Sequence, residues 1–126
     1  TMIASDGGPR VLGQDVPHSR SYGNNARVLG RYVRDLKLLT LEEAIRRMTS
    51  LPATTFQLEG RGQLKPGFIA DIVLIDPAKV TAPSTFDDPH HYAEGIPHVL
   101  VNGRPVLHDA QLTDERPGQI VRKGVK

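Results

Sequence analysis

Gly62-Gln63-Leu64-Lys65-Pro66-Gly67-Phe68-Ile69-Ala70-Asp71-Ile72-Val73-Leu74-Ile75-Asp76 is the stretch that decides how this chain is read. Pro66 presets a negative φ and Gly67 accepts a positive one, so Lys65-Pro66-Gly67 predicts a type II turn. Ile72, Val73, Leu74 and Ile75 follow without interruption between two acids, the pattern of a strand buried on both faces. Pro77 ends it. Downstream, His98-Val99-Leu100-Val101, Asn102-Gly103 and Arg104-Pro105-Val106-Leu107 spell a hairpin with a two-residue type I′ turn. Pro105 has no N–H to give, which places it at an edge or a non-paired position. The connection over residues 79–97 is long and dotted with proline, and the tail over residues 113–126 is polar, with weak structure expected.

Upstream of Phe56 the period is helical. Thr40 suits an N-cap, with Glu43 three residues on as a capping box requires. Leu41, Ala44, Ile45 and Met48 form one apolar face, and Arg46 and Arg47 come late, where cations suit the helix dipole. Pro52 predicts a stop near Ser50 or Leu51. Residues 26–36 carry a second helical stripe, Leu29, Val33 and Leu36. Residues 7–24 are rich in Gly, Pro, Ser and Asn and read as a long loop. Before it, Thr1-Met2-Ile3-Ala4-Ser5 reads as a strand that stops at Asp6-Gly7-Gly8. The fold class expected is therefore α+β, with residues 1–56 forming a helical part and residues 57–126 a β part. Two or three strands do not make a free-standing sandwich, so the β part is expected to take strands from outside this chain. A start inside a strand is expected of a fragment cut from a larger fold.

Composition narrows the function classes. A chain of 126 residues is too short for a complete enzyme barrel, which needs about 250. Six aromatic residues and no Trp leave a thin, aliphatic core. A net charge of +2, with dispersed arginines and few interleaved aromatics, argues against a nucleic-acid surface. No run reaches the roughly 18 apolar residues of a membrane span, and no secretory leader is recognisable. The absence of cysteine removes disulfides and thiolate nucleophiles. A soluble, cytoplasmic protein is the expectation.

Asp6 is the sharpest chemical candidate. A carboxylate at the carboxyl end of a strand, before a glycine loop, is where barrel enzymes place catalytic groups, and it could ligate a metal or move a proton. An Asx turn capping the strand explains the same residue and is the commoner use of Asp before Gly. Arg20, later in the same loop, could grip a carboxylate in a bidentate pair, although a solvated loop arginine is the simpler reading. His18, His90, His91, His98 and His108 contain no pair at helical i, i+4 spacing and no His-x-His, so a complete zinc site within the chain is not expected. Gly60 and Gly62 lack the strand-to-helix context of a phosphate loop.

Residues 62–76 are similar to the segment with which enzymes of the amidohydrolase superfamily re-enter their small β-sandwich after the barrel. Met2-Ile3-Ala4-Ser5-Asp6-Gly7 resembles the last barrel strand of that superfamily. Tyr22-Gly23, Arg27-Val28-Leu29-Gly30-Arg31-Tyr32-Val33 and Thr85-Phe86 with Asp88-Pro89, Tyr92 and Gly95-Ile96 resemble its N-acyl-D-amino-acid deacylase (D-aminoacylase) branch. The resemblance implies the last strand and closing helices of a (β/α)8 barrel in residues 1–56, and part of a β-sandwich with a C-terminal tail in residues 57–126. It implies a zinc-dependent hydrolase of N-acyl-D-amino acids, small molecules. Asp6 would be its catalytic proton carrier, and a possible metal ligand whose fellow ligands lie outside this chain. Arg20 would hold the substrate carboxylate. The fragment alone would be inactive and bind no zinc tightly. Two alternatives stay open: a cyclic-amide hydrolase of the hydantoinase or dihydroorotase kind, because the segment over residues 62–76 is shared, and a non-catalytic module that recruits partners or forms homo-oligomers through an exposed strand edge.

Overall fold

The computed structural model describes residues 1–124; Val125 and Lys126, the end of the polar tail, lie outside the described residues. The chain forms two compact units that interleave in sequence. A helical unit holds Ile3–Ala44 and Asp76–Gly95, and a sheet unit holds Thr1–Met2, Ile45–Ile75 and the chain from Ile96 on. The change of period near Phe56 is therefore not where the units divide, because the long connection after Ile75 packs with the N-terminal helices.

The sheet has four antiparallel strands in the order β1 (Ile72–Leu74), β2 (His98–Val101), β3 (Arg104–His108) and β4 (Gln111–Leu112). Two turns match their sequence signals. Phe68 N–H donates to the Lys65 carbonyl at 3.0 Å with Gly67 at φ 82°, the expected type II turn. Asn102 and Gly103 have φ of 49° and 76°, the two positive values of a type I′ hairpin. A third turn, at Asp109 and Ala110, repeats these signs at 48° and 60° and starts β4. Without a glycine it gave no hairpin signal. The register shifts between Val99 and Leu100, so Val99 faces Leu107 while Leu100 faces Pro105. Pro105 thus sits beside a bulge, and β4 pairs back only as far as Leu107, so its missing donor costs no ladder bond.

Strand β1 is not buried on both faces. It forms one edge of the sheet, Val73 is 55% exposed and Leu74 45%. Double-sided burial needs a layer on each face, and the described residues supply none over β1. The tail is better anchored than its composition implies. Asn102 Nδ2 donates to the Pro117 carbonyl at 2.5 Å, and Arg104 pairs with Glu115 through both carboxylate oxygens. Asn102 also donates its N–H to Asp71 Oδ1 at 2.8 Å and accepts from Arg61 Nη2 at 3.1 Å, while Arg61 Nη1 pairs with Asp71 Oδ2. The hairpin turn is thereby bolted to the start of β1 by charge-assisted bonds.

Helix α2 (Leu41–Met48) begins where Thr40 predicts, with Glu43 N–H donating to Thr40 Oγ1 at 3.2 Å. Pro52 does not stop the chain. It lies in the first turn of a short helix α3 (Ser50–Thr55), where a missing N–H is one of those with no helical partner anyway.

In the helical unit the predicted loop is shorter than expected. Helix α1 (Arg20–Arg27) starts at Arg20, and its Asn and Gly content conceals it from propensity. It runs into a π-helix over Val28–Asp35, where Leu36 N–H reaches back five residues to the Arg31 carbonyl at 2.9 Å. The wider turn moves the stripe: Val28, Leu29 and Gly30 are buried, whereas Leu36 is exposed. Val80 packs here and is 1% exposed. A Cβ at Gly30 would lie 2.5 Å from the Val80 carbonyl oxygen, and one at Gly95 would lie 2.5 Å from Val80 N. Arg34 Nη1 closes the site by donating to the Val80 carbonyl at 2.7 Å. Thr1-Met2-Ile3-Ala4-Ser5 is not a strand: residues 1–10 form no regular element, because no neighbouring strand pairs with them. Gly30→Ala and Gly95→Ala are each expected to destabilise the chain by about 2–3 kcal/mol, from overpacking and, at Gly95, a φ of 74°, measured by urea unfolding.

Candidate functional site

Asp6 and Arg20, the two residues singled out from the sequence, are brought together: Arg20 Nη2 lies 2.9 Å from Asp6 Oδ2. Local geometry produces the pair. Asp6 has a φ of 51°, a left-handed conformation that Asp tolerates better than most residues. Gly7 then rests against α1 so closely that a Cβ there would meet Ser21 Cα at 2.9 Å. That approach sets the Asp6 carboxylate beside the first residue of the helix. Beyond a kink at Gly23 (φ −150°), Asn24 Nδ2 donates to the Ala4 carbonyl at 3.2 Å and holds the segment at a second point. His18 Nδ1 accepts from Arg20 N–H at 3.1 Å and serves as the side-chain cap that Ser19 does not provide.

The pair is open to water, with Asp6 85% and Arg20 42% exposed, and contributes at most about 1 kcal/mol to stability. The two grooves of the sheet unit, near Leu64 and Phe68 and near Val106 and Pro117, do not include Asp6 or Arg20.

The loop between Asp6 and Arg20 is held by a residue that sequence reading left as an ordinary loop histidine. His90 Nδ1 accepts from Gly13 N–H at 3.1 Å, which puts the ring proton on Nε2, and Nε2 donates to the Asp15 carbonyl at 3.0 Å. The Tyr22 hydroxyl lies 3.0 Å from the same Nδ1, and its ring meets those of His90 and Tyr92 edge-on. His91 turns elsewhere, to Asp88 at 2.7 Å. No spacing rule links position 90 to position 13, so this clamp had no sequence signal.

The stretches that carried the branch resemblance turn out to be contact partners. Gly23 approaches Ala82, Gly30 and Gly95 approach Val80, Arg27 Nη2 donates to the Ser84 carbonyl at 3.3 Å, and the buried Ser84 hydroxyl donates to the Pro89 carbonyl at 2.7 Å. Among the described residues, the one group of three potential metal ligands is His98, His108 and Asp109. Asp6 is not in it. The histidines at 98 and 108 escaped sequence reading because a regular two-residue hairpin pairs His98 with Leu107; the bulge moves His108 opposite His98.

The model of the amidohydrolase family matches residues 2–107. The chain belongs to the amidohydrolase family. It is 46% identical over 123 residues to a D-aminoacylase of Alcaligenes xylosoxydans xylosoxydans, covering 98% of this chain and 25% of that protein. A crystal structure of D-aminoacylase superposes with a TM-score of 0.90 at 44% identity, over 97% of this chain and 25% of the other. An N-acyl-D-glutamate deacylase from Bordetella bronchiseptica, complexed with zinc and a phosphonate mimic of the tetrahedral intermediate, gives 0.86 at 47% identity over 96% and 25%. The amidohydrolase chain described here thus spans about a quarter of the length of these relatives. Deacylases match along nearly its whole length, which does not favour the cyclic-amide or strand-edge alternatives. Among the described residues no helix is long and apolar enough to cross a membrane.

His90→Ala is expected to release the loop over residues 11–15. Amide exchange at Gly13 should accelerate about tenfold, the equivalent of one net hydrogen bond, as read by hydrogen–deuterium exchange.

Proposed function

We propose that this chain is the C-terminal quarter of a zinc-dependent hydrolase that cleaves the amide bond of N-acyl-D-amino acids. In this reading residues 1–56 supply the end of the barrel. Residues 1–5, which pair with no strand here, would become its last strand only beside the rest of the barrel, and the helices would close it. Residues 57–126 supply part of the small β-sandwich, with residues 76–95 reaching back to the helices. The exposed Val73 and Leu74 support a neighbour over β1, since apolar side chains of one strand edge are rarely left to water.

Asp6 would move the proton. Its carboxylate takes a proton from the water that attacks the amide carbonyl and delivers it to the departing amine, one general base and then general acid in two half-steps. Arg20 would bind the carboxylate of the substrate, a planar fork for a planar anion. The observation that carries the reading is the 2.9 Å approach of these two side chains within a segment matched by the amidohydrolase family. Incoming carboxylate and Asp6 would share the same guanidinium, so substrate binding and orientation of the acid are coupled.

The residues present do not by themselves fit zinc at this place. Asp6 offers one ligand, it is engaged with Arg20, and among the described residues it belongs to no group of three potential ligands. The metal would be held by groups outside this chain, where its chemistry is to polarise the carbonyl and activate water.

In the full-length protein Asp6→Ala is expected to lower kcat by at least about 10²-fold with N-acetyl-D-amino acids; near-normal turnover would remove Asp6 from the mechanism. Arg20→Ala should raise KM for substrates with a free carboxylate and leave their amides unchanged, and equal effects on both would remove the carboxylate contact. The 126-residue chain, assayed with zinc and the same substrates, should show no turnover above blank.

A further inference from the structure

We propose that His98, His108 and Asp109 form a transition-metal site that clamps the ends of β2 and β3 together, separate from the Asp6–Arg20 pair. The ligands come from two separate strand ends, His98 on one and the consecutive His108 and Asp109 on the other. His98 opens β2, His108 closes β3, and Asp109 begins the tight turn into β4. Because the bulge makes Val99 face Leu107, the next step along the ladder sets His98 and His108 opposite each other on one face. Their rings meet edge-on with centroids 4.9 Å apart.

The spacing of the three side chains leaves room for a cation between them. Asp109 Oδ1 lies 3.5 Å from His98 Nε2, and Asp109 Oδ2 lies 3.3 Å from His108 Nδ1. Those separations are long for charge-assisted hydrogen bonds, which close to about 2.8 Å. Each is near the roughly 3.3–3.4 Å edge of a tetrahedron built from metal bonds of about 2.0–2.1 Å, but they run to different oxygens of Asp109, so its carboxylate must turn to offer one oxygen to both rings. The three ligand atoms all lie within 4.8 Å of one another, so one edge must shorten by a side-chain rotation. His108 and Asp109 are 63% and 75% exposed and can make that rotation at little cost.

Two imidazoles and a carboxylate suit zinc, nickel or copper, and not calcium or magnesium, which want an all-oxygen shell. Three protein ligands leave a position for water. Without a cation, Asp109 N–H points at His98 Nδ1 at 3.3 Å, which places the ring proton on Nε2. The ion replaces that proton, the tautomer reverses, and the long Nδ1 contact is the one lost. Both imidazoles must also be neutral to ligate, so protons compete for them and binding weakens as pH falls. A bound ion would cross-link two strands through side chains at the far end of the hairpin from the Asn102-Gly103 turn.

The test is titration of the 126-residue chain with Zn2+ by calorimetry at pH 7.5, with Co2+ absorption as a second readout. One tight equivalent is expected, with a tetrahedral Co2+ spectrum and a higher unfolding temperature when the site is saturated. His108→Ala and Asp109→Asn should each weaken Zn2+ binding at least tenfold. Both positions are exposed, and Asn tolerates the left-handed φ of 48° at residue 109, so these variants keep the fold. His90→Ala with His91→Ala should leave Zn2+ binding intact. Affinity unchanged in both site variants, loss of affinity on removing His90 and His91, or equal affinity for Ca2+ would each overturn the proposal.

Discussion

Two missing side chains hold the helical unit together. With no Cβ at Gly30 and Gly95, the backbone at Val80 can lie within van der Waals reach of both, and the Val80 side chain is taken almost wholly out of water. Burying a valine contributes about 1.5–3 kcal/mol, a large share in a unit whose other buried apolar side chains are Ala26, Val28, Leu29 and Ala44 with Pro17 and Pro89. Arg34 then satisfies the Val80 carbonyl that this close approach removes from solvent. A core this poor in aromatic side chains relies on backbone contact, and backbone contact demands glycine.

The same device appears at smaller scale beside the candidate site. Gly7 lets the segment after Ala4 lie on α1, and that contact, rather than the strength of the ion pair, sets Asp6 next to Arg20. The helix carrying Arg20 continues through Ala26 to Gly30, and so to Val80. The acid and the base are thus placed by a run of close approaches that begins in the buried part of the unit. Aromatic side chains, which a thicker core would have buried, are used at the surface: Tyr22 and His90 hold the loop over residues 11–15, and Tyr92 packs edge-on against Tyr22.

What could be read from the sequence was what local chemistry decides. The Pro66-Gly67 turn, the Thr40 cap and the Asn102-Gly103 hairpin each depend on residues within four positions of one another. The composition of residues 1–5 suits a strand and that of residues 72–75 a buried strand, but a ladder and a covering layer come from elsewhere. Pro52 was read as a stop although it is equally at home in a first turn. Asp6 and Arg20 were named one at a time; their meeting depends on how closely Gly7 nears Ser21, which no spacing encodes. His98 and His108 share neither helical i, i+4 spacing nor a His-x-His step; a single bulge at Val99 and Leu100 sets them opposite each other, and no local pattern encodes it.

The interleaving of the two units has a consequence during synthesis. Residues 3–44 cannot bury Leu29 or Val28 around Val80 until residues 76–95 have left the ribosome, 51 positions after Ala44 when Gly95 is counted last. At about 5–20 residues per second that is a delay on the order of 3–10 s. The nascent helices must wait through it with their apolar stripe uncovered, while the sheet waits longer still for β2 to β4. A chaperone that shields short aliphatic stretches would find its target in that interval, and ribosome pausing between positions 44 and 76 would lengthen it.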